Sequence, residues 1–379
     1  MNAIANNLSD YSDVSRYDSD LGTFVSLYAG AGGLDIGFAL AGFRPVWVSE
    51  LDPSALATHD LALEELSRHH PHLAQKNYQS FSGDLLAIPE SQLPARGSAT
   101  LVIGGPPCQG FSVAGKMDPN DERSKHVFHF MDIVERVDPQ AFVMENVKAL
   151  YANKRWSSIK DALILRAQRM GYEVKIELAN AAYFGVPQAR ERMFLTGIKK
   201  GLGVPVSLKR VTEDSPPTVR DALAQLPRYG TPGNDSKCTA QITLAKSPVL
   251  RRSPHAGMLF NGAGRPLNLD RPSVTLPASM GGNKTPIIDQ ILLDDPEVDS
   301  WVASYHARLW SGNAFDPLSF VPSSLRRLTV EEAAALQTFP ISMKWVGSQS
   351  MKFRQIGNAV PPRLALAVAT AIKKGLRLD

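Results

Sequence analysis

The chain has 379 residues, 44% of them apolar and 21% charged, with a net charge of +4. That composition suits a globular protein of one large domain or two sharing a core. No apolar run approaches the roughly 20 residues a membrane span needs, and the polar N-terminus (Asp10, Asp13, Asp18, Asp20) lacks the basic start and apolar run of a secretory signal, so a cytoplasmic protein is expected.

In chain order, the first half alternates strands and helices. An apolar run at 23–28 ends at Ala-Gly-Ala-Gly-Gly, and a helix is expected over 34–41. A strand at 45–49 precedes a helix over 53–68, whose early proline is tolerated in a first turn. Closely spaced glycines after a strand let backbone approach a ligand at the carboxyl edge of a sheet, although an ordinary tight turn accounts for them as well. Glu50, at the end of the second strand, is placed to accept ribose hydroxyls, and Asp84 after Gly83 to read an adenine amino group; both also read as strand-end caps. His69, His70 and His72 have no matching ligands around them, so a solvated loop is expected there and no metal.

The strand at 100–103 is stopped by Gly104-Gly105-Pro106-Pro107, which leads into Cys108-Gln109-Gly110-Phe111-Ser112. Two prolines restrain the approach to the thiol. A lone cysteine is most often a small buried hydrophobe, but this setting at a strand end favours a nucleophile, which needs electropositive help to ionise. The two cysteines, Cys108 and Cys238, exclude a disulfide framework and paired Cys-x-x-Cys ligands. A helix over 127–137, a strand at 141–144 and a helix over 156–170 follow. Strand–helix alternation predicts an α/β fold, a doubly wound and mostly parallel sheet covered on both faces.

From about residue 200 proline and glycine become frequent and helical periodicity fades, predicting a smaller, loop-rich, β-containing module. Residues 199–271 hold twelve lysines and arginines against five acids, a basic segment on a body that is net −3. Such a segment suits a polyanion, or is simply solvated surface. Helical structure is expected to return at 329–337, where Thr-Val-Glu-Glu forms a capping box, and at 362–376, with Lys373 and Lys374 favourably near its end.

Taken together, these motifs resemble the DNA (cytosine-5)-methyltransferase family, bacterial and of the restriction-modification or orphan type. The further matching residues are Met144-Glu145-Asn146-Val147, Gly185-Val186-Pro187-Gln188-Ala189-Arg190-Glu191-Arg192, Arg271-Pro272-Ser273-Val274-Thr275, Leu325-Arg326-Arg327-Leu328-Thr329 and Gln355-Ile356-Gly357-Asn358-Ala359-Val360-Pro361-Pro362. The likeness runs from about residue 23 to 375. It implies a Rossmann-like S-adenosylmethionine-dependent catalytic domain (1–199 plus 355–379), a target-recognition domain (200–325) and a hinge and return segment (326–354). It also implies transfer of a methyl group to carbon 5 of a flipped cytosine in a specific duplex sequence.

By this resemblance Cys108 is the nucleophile, Glu145 the acid at N3, Arg192 the contact to the cytosine carbonyl oxygen, and Arg190 a supporting member of the catalytic set. Tyr28, Ala29, Gly30, Gly32, Gly33, Leu34, Glu50, Leu51, Asp84, Leu85, Pro106 and Asn358 are implied cofactor contacts, Tyr28 standing where the family usually has Phe. Gln109, Ser112, Arg123, Gln188, Thr243, Arg251 and Arg252 are implied DNA contacts, the first three on a loop that closes over the substrate. The expected partners are double-stranded DNA and a separately encoded restriction endonuclease, for a monomer associated with the nucleoid. A tRNA-modifying branch of the family carries a Cys-Phe-Thr tripeptide where this chain has Cys238-Thr239-Ala240. An inactive DNA-binding protein on the same fold is the other alternative, against which the intact Cys108, Glu145 and Arg192 speak. The stretch between Ile288 and Val321 is longer than the family pattern leads one to expect.

Overall fold

The computed structural model describes residues 11, 21–70, 73, 78–107, 125–212, 214–312 and 320–378. Five strands run parallel: β1 (Thr23–Leu27), β2 (Arg44–Glu50), β3 (Gln79–Ser82), β4 (Leu101–Gly104) and β5 (Ala141–Val147). They are linked by helices α1 (Gly33–Leu40), α2 (Pro53–Ser67) and α3 (Lys125–Val137). The chain then passes through α4 (Lys148–Ala152) and α5 (Ser157–Arg169) to β6 (Tyr172–Asn180), β7 (Gln188–Ala189) and β8 (Glu191–Lys199). The resulting seven-stranded sheet has the order β3-β2-β1-β4-β5-β8-β6. β8 is antiparallel to both its neighbours, the one break in a parallel sheet.

Side chains alternate strictly between the two faces of the central strands, as a period of two requires. Phe24, Leu101, Ile103, Ala141 and Val143 pack on one side, while Val25, Val102, Phe142 and Met144 pack on the other. Both faces are dry, so these strands read as unbroken apolar runs. The first side is covered by α1 and by the last helix, α11 (Pro362–Leu376), and the second by α3 and α5. A Cβ at Gly37 would lie 2.4 Å from the backbone nitrogen of Leu366, so glycine permits α11 to approach α1 closely. The C-terminal helix thus returns to the first strand, as the sequence leads one to expect.

The strand order reverses between β1 and β4, and open α/β sheets bind ligands at the carboxyl ends beside such a point. The glycine loop after β1, Glu50 at the end of β2 and the Gly-Gly-Pro-Pro segment after β4 all lie there. β5 runs three residues beyond the predicted strand, through Glu145 and Asn146 to Val147.

Beyond residue 200 the elements are short: α6 (Val219–Leu223), a hairpin of β9 (Leu244–Val249) and β10 (Met258–Phe260), β11 (Ser273–Val274), β12 (Ile287–Asp289), α7 (Gln290–Asp294), α8 (Trp301–Trp310) and β13 (Leu325–Arg327). α9 (Val330–Leu336) carries the expected capping box, Thr329 with Glu332, and α10 (Gln349–Asn358) leads to α11. Val219, Leu223, Leu267, Leu276 and Ile288 join a core that includes Ile36, Leu63, Val330 and Phe353. Leu259, Phe260, Ile287, Val302, Tyr305 and Leu325 form a separate small core. No helix among the described residues is long and apolar enough to cross a membrane.

Candidate active site

Glu145 stands where β5 leaves the sheet, and Arg192 enters on the antiparallel neighbour, opposite Val147. This register puts the two side chains together: Arg192 Nε lies 2.7 Å from Glu145 Oε1, and both side chains are nearly inaccessible. Burial pushes the Glu145 carboxyl above the usual carboxylate range, opposed by the positive charges of Arg192 and Arg190. A Cβ at Gly105 would sit 2.8 Å from Glu145 Oε2, so the backbone after β4 runs directly against the carboxyl. Asn146 Nδ2 donates to the Pro106 carbonyl at 3.2 Å, tying the Pro-Pro segment to β5. The residue that follows this clamp is Cys108, which lies outside the described residues, as do Gln109, Ser112 and Arg123.

Two of the expected site residues lie wholly inside the protein. Arg190, taken as part of the catalytic set, is fully buried; its guanidinium donates to the carbonyls of Gly357 (2.8 Å) and Leu276 (3.4 Å). It therefore bolts the chain before α11 and the segment after β11 to the sheet, and its charge acts on Glu145. Gln188, taken as a DNA contact, is also fully buried: its amide oxygen accepts from Leu276 N, and its strand pairs with β11. No surface of it faces a polyanion.

At the end of β1, Tyr28 (φ 57°), Gly30 and Gly32 take left-handed backbone, and the Ala29 N–H donates to the Ser49 carbonyl at 3.0 Å. Glu50 closes the loop: its Oε2 accepts from Gly30 N at 2.8 Å and its Oε1 from Asp52 N at 2.9 Å. Each oxygen keeps lone pairs for a further donor. Burial raises the Glu50 carboxyl pKa, and the backbone donors work against that rise. Leu51 beside it is 68% exposed, and Asp84, exposed, accepts from Leu86 N at the start of a turn in which Leu85 is buried. Tyr28 Oη lies 3.1 Å from His126 Nδ1, which fixes the ring across the same edge. Pro106 is buried, while Asn358 is exposed at the end of α10; just beyond it, the Val360 carbonyl lies where a Cβ at Gly33 would be. Ala29 and Leu34 complete the loop and its helix start. Exposed Leu51 and the acceptor carboxylates of Glu50 and Asp84 thus lie along one edge, a set whose chemistry is compatible with a nucleoside.

The sequence profile described as C-5 cytosine-specific DNA methylase matches residues 22–374. The chain belongs to that family. It is a DNA (cytosine-5-)-methyltransferase that uses S-adenosylmethionine. It is 30% identical over 360 residues to the Type II methyltransferase M1.HphI of Haemophilus parahaemolyticus, covering 93% of this chain and 87% of that protein. It is 32% identical over 379 residues to M.XorII of Xanthomonas oryzae pv. oryzae, covering 93% and 85%. In fold it resembles the crystal structure of S. pombe Dnmt2 methyltransferase, with a TM-score of 0.60, 16% identity and coverage of 93% and 97%.

In this methyltransferase the β9–β10 hairpin presents Thr243, Arg251 and Arg252 to solvent. Thr243 Oγ1 is held by Asn261 Nδ2, which leaves its surface position fixed. Two functional features escape a reading of the sequence. Gly105 sits in a motif that is legible, yet its contact with Glu145 crosses strands. Replacing Gly105 by alanine displaces a carboxyl that Arg192 holds from the other side; we expect kcat to fall roughly tenfold to a hundredfold, the scale of a misplaced catalytic group, with cofactor affinity unchanged in calorimetry.

The second is beneath the glycine loop. His59 of α2 is wholly buried, its Nε2 3.0 Å from Asp35 of α1 and its Nδ1 3.2 Å from Asp60, which also accepts from Tyr78. Its Cδ2 would lie 2.9 Å from a Cβ at Gly32, so the imidazole supports the loop from below. Burial works to lower its pKa, but Asp35 and Asp60 outweigh that and raise it to about 9 from 6.5. A raised histidine pKa stabilises the fold fully below the ordinary value, and the gain disappears as pH rises through the folded one. The thermal midpoint should therefore decline between about pH 6.5 and 9, and His59→Gln, which keeps a donor without a charge, should flatten that decline in a pH series of melting curves.

Proposed function

We propose that this methyltransferase acts on one cytosine within a specific duplex sequence, extruding it from the stack and holding it by a covalent bond between Cys108 and carbon 6. The buried Glu145–Arg192 pair set against Gly105 and Pro106, just before Cys108, is the observation that carries this reading. Carbon 5 of cytosine is a poor nucleophile. When the Cys108 thiolate forms a bond to carbon 6, the 5,6 double bond opens and its electrons move toward N3, making carbon 5 electron-rich. Glu145, whose carboxyl burial shifts toward the protonated form, would donate its proton at N3 and accept from the exocyclic amine. Arg192 donates to the ring carbonyl. S-adenosylmethionine supplies the electrophilic methyl group. Loss of the carbon 5 proton to water then expels the thiolate and restores the 5,6 double bond, and N3 returns its proton to Glu145.

Glu50 would hold the ribose hydroxyls, Leu51 and Leu85 the adenine faces, Asp84 its amine, and residues 28–34 with Pro106 and Asn358 the methionine end. Extrusion costs a few kcal/mol, which closure of the segment bearing Gln109, Ser112 and Arg123 would offset. The small core around Leu259 and Tyr305 supports a recognition part at 200–325, beside a catalytic part of 1–199 and 355–379 and a return segment at 326–354. Its hairpin, carrying Thr243, Arg251 and Arg252, would enter the major groove. The Type II relatives support a restriction-modification role with a separate endonuclease; a cytoplasmic monomer at the nucleoid completes the proposal.

Incubating the purified protein with methyl-labelled cofactor and either duplex DNA or tRNA tests this reading. Label should enter DNA, and bisulfite sequencing of a host expressing the protein should place it on one cytosine of a short recurring sequence. Label in tRNA alone, or scattered methylation without a common sequence, would overturn it.

A further inference from the structure

The long stretch between Ile288 and Val321 has no part in the proposed chemistry, yet its described residues 289–312 have a defined place. Helix α8 is capped by Ser300, whose hydroxyl accepts from Ala303 N. Its inner face supplies Val302 and Tyr305 to the small core that also holds Leu259 and Phe260 of β10. Trp301 lies against Phe260 with ring centres 6.4 Å apart and stacks on Tyr305 at 5.0 Å. The helix is thus the floor on which the β9–β10 hairpin rests.

One turn further along, His306 is buried, and its Nε2 lies 2.8 Å from the carbonyl oxygen of Arg251. A carbonyl only accepts, so Nε2 carries the proton. The imidazole is covered on one face by Trp310, stacked at 5.5 Å and itself 58% exposed. Arg251 and Arg252 open the turn between β9 and β10, with both side chains in solvent. Within that turn the His255 backbone N–H donates to Ser253 Oγ at 3.3 Å. The peptide between the two arginines is therefore held through its carbonyl by a ring that is stacked against Trp310.

We infer that α8 is the buttress of the DNA-recognition turn, with His306 the positioning residue that aims Arg251 and Arg252. This rests on the reading that the hairpin meets DNA. Arginine reads a base edge in a fixed bidentate geometry, so the direction in which its backbone leaves the turn decides whether the head group arrives in register. Phosphate contacts tolerate more misdirection. Loss of the His306 hydrogen bond should thus weaken discrimination between sequences more than it weakens binding to any duplex.

His306→Phe keeps the ring and its stack on Trp310 but removes the donor; His306→Gln restores a donor without the stack. With duplexes carrying the methylated sequence or a single mismatch within it, His306→Phe should raise KM for the matched duplex and cut the matched-to-mismatched kcat/KM ratio, each by roughly tenfold, the low end of one base-edge contact. kcat at saturating DNA and cofactor affinity should not change, and His306→Gln should recover part of the ratio. Trp310→Ala, a surface change that uncovers the imidazole, should move the ratio the same way and serves as the test if His306→Phe does not fold. A ratio unchanged in a folded His306→Phe or Trp310→Ala protein overturns the inference. Arg251→Ala/Arg252→Ala separates the two levels: if it weakens binding of the matched duplex while His306→Phe leaves the ratio intact, only the buttress fails. If the arginine variant binds as the wild type does, the reading of the hairpin fails and the inference fails with it.

Discussion

Glu145→Gln should reduce single-turnover methyl transfer by about 10²- to 10⁴-fold, the usual worth of a positioned general acid, while leaving affinity for cofactor and duplex nearly unaltered. Glutamine has the shape of glutamate, and its amide oxygen can still accept from Arg192 Nε across the 2.7 Å now seen. What it lacks is a proton to give. The pH dependence follows from the same residue. Burial raises the Glu145 pKa against the pull of Arg192 and Arg190, so the neutral acid persists to higher pH than for an exposed carboxyl. Turnover should be level on the acid side of that pKa and fall as pH rises through it; in the glutamine variant this limb should vanish. A Glu145→Gln protein within a few-fold of wild-type turnover would mean that the proton reaches N3 by another route.

Cys108→Ser should be more damaging still, abolishing turnover by about 10³-fold or more, as removal of a nucleophile does. A serine hydroxyl is not ionised near neutrality and adds poorly to an aromatic ring. The approach to residue 108 should be unaffected, because Asn146 holds the Pro106 carbonyl whatever follows it. Gel-shift and calorimetric affinities for duplex and cofactor should therefore stay close to wild type. A serine variant that still turns over would remove covalent catalysis from the account.

Where the determinants are local, the sequence is a sufficient guide. The alternation of Phe24 with Val25 and of Val143 with Met144 follows from strand periodicity between two apolar layers, and the Thr329–Glu332 capping box is written within four residues. Glu145 was legible through the family resemblance of Met144-Glu145-Asn146-Val147. Its partnership with Arg192 was not, since it depends on β8 running antiparallel to β5 in one particular register. Gln188 and Arg190 show what their motif alone does not. They belong to a motif full of polar residues and so suggest contact with substrate, but short-strand pairing with β11 and the return of the chain at Gly357 bury both. Asp35 and His59, on different helices, give no local signal that they will meet beneath the glycine loop. Residues 289–321 looked merely too long, because the stacking of Trp301 on Tyr305 and the bond from His306 to Arg251 appear only once β10 is in place.

Duplex DNA carrying 5-fluorocytosine at the methylated position offers the most direct measurement. Fluorine cannot leave carbon 5 as the proton does, so an adduct formed after methyl transfer has no way to expel the thiolate. In the presence of S-adenosylmethionine the protein should form an equimolar complex that survives denaturant, and mass spectrometry of the digested complex should find the methylated nucleotide on the peptide containing Cys108. Recovery of free protein from a preparation that methylates ordinary DNA, or attachment of the nucleotide to any other residue, would contradict the mechanism.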